Sequence, residues 1–416
     1  MKIGIIGAGW NGCHIALELA REGHQVVVLE RNTDIFRGVS GDFGIRLHKG
    51  PHYPRSKATR DSCLAAFERF CRIYPELVVA HEASIYAHGT SDALGEPSKV
   101  TSDQFAAVCH ESPECRALNL GTEGFTALES AFELEEPSVV LGRRLRNFFA
   151  GRLIQAGVEV RCNFQVLSNE VLDNGVRLHG ADGQALAFDR VINASGYQAL
   201  IPDSFPATLP VAMDVVYQVC LGLTYEDNMP AEKPLSFIVM DGWFPCLMPL
   251  IESDAAPARH YVLTHGSYTI MGSFDTPDEA RAMLGQIEDG FVEGKVKPLC
   301  EAQMQRFWPV FDRRFSYTGW KGAVLAKLRT RTEFRSSPVF ENANTIYVFP
   351  GKVSNVLAAA DEVLALLQDR DCIEQQGFRY VREGVLASAR QEIQSRAAVG
   401  ERNTASLQTF EALQGH

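Results

Sequence analysis

Gly7, Gly9 and Gly12 sit at the junction of an apolar run, Lys2–Ile6, and a segment, Trp10–Arg21, whose apolar residues Ile15, Leu17, Leu19 and Ala20 recur at helical spacing. No other feature of the chain limits its fold as strongly. The first glycine permits a tight strand-to-helix turn, the second lets a pyrophosphate approach the backbone, and the third lets helix and sheet pack closely. Trp10 and Asn11 open the helix, whose free amides then face the phosphates. The run "HQVVVLE" predicts a second strand ending on Glu30, followed by Arg31. A carboxylate there binds the hydroxyls of an adenosine ribose and repels a 2'-phosphate, so NADP is a poor fit. A glycine-rich turn without a ligand is the plain alternative. Strand, turn, helix, strand and acid occur together between residues 2 and 30, which favours a dinucleotide.

With 416 residues and 46% hydrophobic content, the chain can bury a large core and divide into two subdomains. Its net charge of −11, with acidic residues spread along it, disfavours nucleic acid or an anionic membrane as partner. The ten cysteines are scattered, without a CxxC pair or the Cys/His spacing of a zinc site, as expected of buried thiols in a reducing cytoplasm. No run reaches the roughly 18 apolar residues of a membrane helix. The expectation is a cytoplasmic enzyme acting on a small molecule, with no metal and no membrane span, and with a second copy of the chain, in a homodimer, as a candidate partner.

Three later segments decide between NAD and FAD. "GDFGIRLHKGPHYPRS", Gly41–Ser56, carries Arg46, His48 and His52 and resembles the second FAD segment of the glutathione-reductase-type flavoproteins, in the amine-oxidase and D-amino-acid-oxidase group. Residues 157–197 resemble that group's returning unit: a parallel strand at Val158–Arg161, a three-stranded meander, and "DRVINASG", which re-enters the sheet at Gly196. "NTIYVFPGKVSNVLAAADEVLALL" resembles its closing segment, a strand, Gly351 and a helix from about Ser354. The resemblance implies FAD, with Gly196 beside it and Gly351, Lys352, Val353, Ser354 and Asn355 at the pyrimidine end of the flavin. Amides, a helix dipole and the Lys352 ammonium would there offset the negative charge of the reduced ring. A second GxGxxG and the closing Gly-Asp pair of aromatic hydroxylases are both missing, which removes weight from two other flavoprotein classes.

The implied fold class is α/β with an α+β substrate part: a Rossmann-like FAD-binding domain with an interleaved antiparallel-sheet substrate domain. The expected division is FAD-binding segments at 1–80, 136–205 and 336–370, a substrate-domain insertion or lid at 81–135, a substrate domain at 206–335 and a C-terminal helix and tail at 371–416. Within the substrate part, four β-rich runs lie between residues 211 and 274, with helices expected at about Pro277–Val292 and Cys300–Phe311. Residues 92–105 read as a turn-rich loop, and a tail helix is expected near Glu383–Arg396.

In D-amino-acid, glycine and sarcosine oxidases, which this pattern resembles, such a sheet roofs the flavin and an arginine clamps the substrate carboxylate. That resemblance nominates Arg331 or Arg335 as the clamp, His48 and His52 as groups that orient substrate or act as a base, and Tyr268 as a pocket group. Each has a bland alternative: a solvated strand, a backbone-bonded histidine, a core aromatic. The implied reaction is oxidation of a C–N bond by hydride transfer to flavin N5. The run "GIRLHKGPHYPRS" with the helix after it is also similar to UDP-galactopyranose mutase, a flavoenzyme without net redox change. A biosynthetic FAD-dependent dehydrogenase or monooxygenase and a non-enzymatic FAD scaffold stand as further alternatives.

Overall fold

The computed structural model describes residues 1–43, 45–112, 114–201, 214–252, 259–329, 334–375, 377–388 and 409–414. The chain divides into two compact units, each assembled from separated segments: Met1–Asp42, Gly142–Val215 and Ala326–Val399 form the first, and Phe43–Leu141, Val216–Leu325 and Gly400–His416 the second. The first exchange between units therefore falls at Asp42/Phe43 and not near residue 80. The segment with His48 and His52 belongs to the second unit, because Arg46 and Leu47 pair with Ser138 and Pro137 there.

The first unit is built on strand β1 (Lys2–Ile6). It pairs in parallel with β2 (Gln25–Leu29) on one side and with Arg190–Asn193 on the other, so that Ile5 lies opposite both Val28 and Ile192. A central parallel strand is covered on both faces, which is why its residues are nearly all apolar and buried. Glu159–Arg161 extends the sheet beyond β2, and Thr345–Val348 extends it beyond Arg190–Asn193. Three antiparallel strands, Val339–Asn342, Phe378–Val381 and Cys372–Gln375, complete eight. Helix α1 (Trp10–Arg21) joins β1 to β2. The expected meander is Val166–Leu172, Gly175–Gly180 and Ala185–Phe188. Its Val166, Val176, Leu178 and Phe188 share a core with Ile6, Val27, Leu29, Phe164 and Val191.

The second unit holds a nine-stranded sheet. Leu235–Met240 runs parallel to Ala83–Gly89, whereas Val215–Asp227 runs antiparallel to His260–His265 and Ile270–Phe274, as do Pro245–Pro249 and Leu128–Leu134 to their neighbours. A long strand that the sequence reading missed, Phe315–Leu328, pairs with Val215–Asp227. A smaller sheet joins Ile45–Arg46, Ser138–Val139 and Val78–Val79.

Two local expectations need correction, and a third is met as far as the described residues reach. The helix expected at 277–292 stops at Leu284, capped by Gly285. The chain then resumes as a short helix at Asp289–Phe291, a wide turn at Val292–Val296, and the helix Lys297–Phe307. Gly285, which costs about 1 kcal/mol relative to alanine in a helix interior, ends the run, whereas Gly290 and Gly294 lie within the helical turns that follow. Residues 92–105 are not all loop: Thr101 and Gln104 form a reciprocal capping box that starts the helix Ser102–Cys109. Of the tail helix, Val385–Ser388 is observed; the rest of that expectation lies outside the described residues. No helix among the described residues is long and apolar enough to cross a membrane.

Candidate functional site

The glycine turn between β1 and α1 has the shape that its sequence requires. Gly7 takes a φ of +96°, and a Cβ there would stand 2.8 Å from the Ala194 carbonyl oxygen at the end of the neighbouring strand. A Cβ on Gly12 would overlap the Gly7 carbonyl oxygen outright. Gly9 caps α1 without a side-chain hydrogen bond, and no acidic residue occupies the first turn, so neither a cap side chain nor an acid competes with an anion at this end of the helix. The Glu30 carboxylate is buried beside this turn: Oε2 accepts from Ala8 N at 2.8 Å, and Oε1 accepts from Asn32 N at 2.9 Å and Asn32 Nδ2 at 2.7 Å. Arg31 is exposed and lines an open cleft of about 600 Å³ with Asn32, Thr33, Arg37, Asp42 and Asn163.

The side chain of Trp10 packs in the core of the first unit. Its ring is buried edge-on against Phe36 and Phe149, at 5.8 and 5.1 Å, so the first helical residue contributes core packing and a backbone amide. Asn11 Oδ1 is buried and has no hydrogen-bond partner among the described residues. Gly196, at φ +72°, closes a turn in which Asn193 Oδ1 accepts from Ser195 N and Oγ and Asn193 Nδ2 donates to Ala199 O.

In the closing segment, a Cβ on Gly351 would meet Ser337 Oγ and stand 2.8 Å from the Arg335 carbonyl oxygen. Lys352 N donates to that carbonyl at 3.1 Å and to Asn355 Oδ1 at 2.9 Å. Val353, Ser354 and Asn355 form a buried turn of 3₁₀ helix that runs into the helix Val356–Leu367. Ser354 Oγ and Ser337 Oγ are buried without partners among the described residues. Burial lowers the Lys352 ammonium to about 8. Arg335 thus meets this turn through its backbone, and Arg331 lies outside the described residues.

The second unit gathers a different set of groups. Gly50, at φ +128°, starts a turn in which Tyr53 N donates to Gly50 O at 2.8 Å, and this reversal lays the His52 ring on His48, with centroids 4.5 Å apart and planes 15° apart. Tyr53 stands edge-on to both rings. Beneath them lies the buried carboxylate of Glu136. Its Oε2 accepts from Tyr86 Oη at 2.6 Å and lies 3.3 Å from His48 Nδ1 and 3.7 Å from Arg46 Nε, while Oε1 accepts from Lys49 N at 2.7 Å. Burial pushes the Tyr86 phenol well above its ordinary range, with Glu136 adding to the effect and Arg46 opposing it. His81, bonded to Ser84, Ser236 and Ser138, is lowered to about 3 by burial and by Arg46.

The sequence reading grouped Arg46 with the cofactor residues. Its side chain is instead fully enclosed by Glu136, Ser236 and the Tyr86 ring, where it balances a buried carboxylate. Tyr268 stacks on His265 at 4.7 Å, in the turn before Ile270–Phe274, and burial lowers His265 to about 3. Glu136 and Tyr86 were missed by the sequence reading, because each lies in a separate segment and neither belongs to a motif. A glutamate before proline in the run "ELEEPSVV" was the one available hint.

The model of the family described as FAD dependent oxidoreductase (DAO) matches residues 2–361. The chain belongs to that family. Within it, the protein is similar to the FAD-dependent monooxygenase kojA of Aspergillus flavus, 51% identical over 99% of this chain and 98% of that one. It is also similar to the FAD-dependent monooxygenase FPY4 of Fusarium mangiferae, 28% identical over 88% and 91%. Among solved structures, the fold matches NikD, an unusual amino acid oxidase, with a TM-score of 0.67, 15% identity and coverage of 95% and 97%. It also matches glycine oxidase from Geobacillus kaustophilus, with a TM-score of 0.63, 14% identity and coverage of 92% and 96%.

As a DAO-family oxidoreductase the protein is FAD-dependent, and the residues present suit that cofactor. The glycine turn leaves no room for side chains where a pyrophosphate needs backbone amides. Asn11 Oδ1 and Ser354 Oγ are buried polar atoms that a ligand can satisfy.

Proposed function

We propose that this DAO-family enzyme oxidises the C–N bond of an amine or amino acid, with the stacked His48–His52 pair acting as the base. That carboxylate-backed pair is the observation that carries the reading. Gly7, Gly9, Asn11, Gly12, Glu30 and Arg31 would hold the ADP half of FAD. Gly196, Gly351, Lys352, Val353, Ser354 and Asn355 would hold its flavin half. FAD, when bound, supplies the hydride acceptor. The chain itself binds and orients the amine. Its imidazole pair takes the N–H proton as the C–H hydrogen departs with its electron pair, leaving a C=N bond that water hydrolyses. Lys352, in the closing turn, offers positive charge where negative charge develops. All ten cysteines are free thiols, which supports residence in a reducing cytoplasm.

The test is anaerobic mixing of flavin-loaded protein with pooled amino acids and amines while flavin absorbance is followed. Bleaching that reverses in air is expected. The absence of bleaching with every pool would overturn the reading and move the mutase alternative forward. The monooxygenase names of the relatives at 51% and 28% identity favour a second reading, insertion of one oxygen atom into the substrate. Mass spectrometry of products formed under ¹⁸O₂ separates the two: C–N oxidation leaves no ¹⁸O in the organic product, and monooxygenation leaves one atom.

A further inference from the structure

The carboxylate beneath the histidine pair belongs to no sequence motif, yet the donors and acceptors around it fix more than its own position. We infer that Glu136 is a positioning residue that holds His48 in the tautomer bearing its proton on Nδ1 and, through the ring stack, sets the plane of His52. The inference rests on the functional reading above and deepens it.

Tyr86 has a single hydroxyl hydrogen, and at 2.6 Å it goes to Glu136 Oε2. The phenol oxygen is left as an acceptor. His48 Nδ1 lies 3.2 Å from that oxygen and 3.3 Å from Glu136 Oε2, so both of these neighbours accept and neither donates. Nδ1 therefore carries a hydrogen, which in the neutral ring puts the lone pair on Nε2. The carboxylate cannot swing away, because Lys49 N–H holds its other oxygen at 2.7 Å.

The remaining charged and titratable groups around the cluster agree with this assignment. Arg46 supplies the counter-charge to Glu136 at 3.7 Å and covers the Tyr86 ring, so a neutral imidazole leaves no buried charge unmatched. Cys246 lies near Arg46 and Tyr86, and its thiol is pushed up to about 11 by burial. His81, neutral by burial, bonds Ser84, which donates to the Glu136 carbonyl at 2.6 Å and ties the backbone of the acid to the strand that bears Tyr86. Tyr53, edge-on to both rings, keeps the stack from sliding. An imidazole oriented by a buried carboxylate in this way is ready to take a proton on the opposite nitrogen, the arrangement that serves serine hydrolases.

The experiment is ¹⁵N NMR of the full-length, flavin-loaded protein labelled at histidine, with the His48 signals identified by their loss in His48→Gln. The wild-type ring is expected to show a protonated Nδ1 and an unprotonated Nε2. Glu136→Gln, which places a donor beside Nδ1, is expected to exchange the two signals, whereas Tyr86→Phe, which keeps the carboxylate, is expected to preserve them. A wild-type ring protonated on Nε2 overturns the inference, as does an unchanged tautomer in Glu136→Gln. Should that variant fail to fold, the wild-type spectrum decides alone. The outcome is independent of turnover: a His52→Ala protein that bleaches at the wild-type rate sinks the functional reading while leaving the tautomer assignment standing.

Discussion

The glycine turn of the first unit is made of backbone, whereas the histidine cluster of the second is made of side chains drawn from four separated stretches, around residues 46–53, 81–86, 136–138 and 236. In the first, function depends on what is missing: no Cβ on Gly12, no cap and no acid in the first turn of α1. In the second, it depends on what is present and matched: one carboxylate with an arginine, a phenol, an imidazole and an amide around it. A backbone site is damaged by adding atoms, and a side-chain site by removing them.

That contrast can be broken in several ways. The largest effect is expected from Gly12→Val, where a side chain must displace the Gly7 carbonyl; overpacking of this kind costs roughly 1–3 kcal/mol or more. Purified protein without bound flavin is the expected result, and normal flavin content would show that the turn has slack. Next comes His52→Ala, which should leave folding and flavin content intact while slowing flavin reduction by about 10²–10⁴-fold. Loss of flavin in this variant would mean that the cluster serves cofactor binding and not the base.

Glu30→Gln is smaller. The charge-assisted bonds from Ala8 and Asn32 weaken, and each such bond is worth roughly 1.5–3 kcal/mol. Flavin should be retained less tightly on dialysis; unchanged retention would remove Glu30 from the cofactor site.

The smallest effect sharpens the comparison between two buried acids. Glu362 in the first unit has Val385 N–H on one oxygen, and its other oxygen has no hydrogen-bond partner among the described residues. Burial lifts it from 4.5 to about 7, the Val385 bond opposing and Asp361 assisting. Between those values the folded protein binds a proton that the unfolded chain does not, so stability falls as pH rises from 4.5 to 7. Glu362→Gln should match wild type in Tm at pH 4.5 and gain a few degrees by pH 7. A Tm difference that does not vary with pH would show that the carboxyl is not protonated in the folded state.

Much of the first unit was legible because its signals are local. Gly7, Gly9, Gly12 and Glu30 lie within one strand, turn and strand, and the returning strand and closing helix follow the same periodicities. The packing of the Trp10 ring on Phe36 and Phe149 was not legible, since position in a motif says nothing of where a large ring packs. The histidine pair was visible as a pair. Its support was not, because the contacts from His48 to Tyr86 and Glu136 span 38 and 88 residues and no single-chain pattern encodes them. The helix expected at 277–292 is interrupted for a simpler reason: the low helix propensity of Gly285 outweighs the apolar periodicity around it.

The interleaving of the two units has a consequence for the nascent chain. β1 is made well before Arg190–Asn193, the strand that pairs with its free side, and Thr345–Val348 in turn pairs with Arg190–Asn193. At ribosomal speeds of about 5–20 residues per second, roughly 10–40 s separate β1 from that partner strand. During this time β1 presents an unpaired hydrophobic edge, so the segment that is most easily recognised in the sequence must be sheltered until its partner strand has been made.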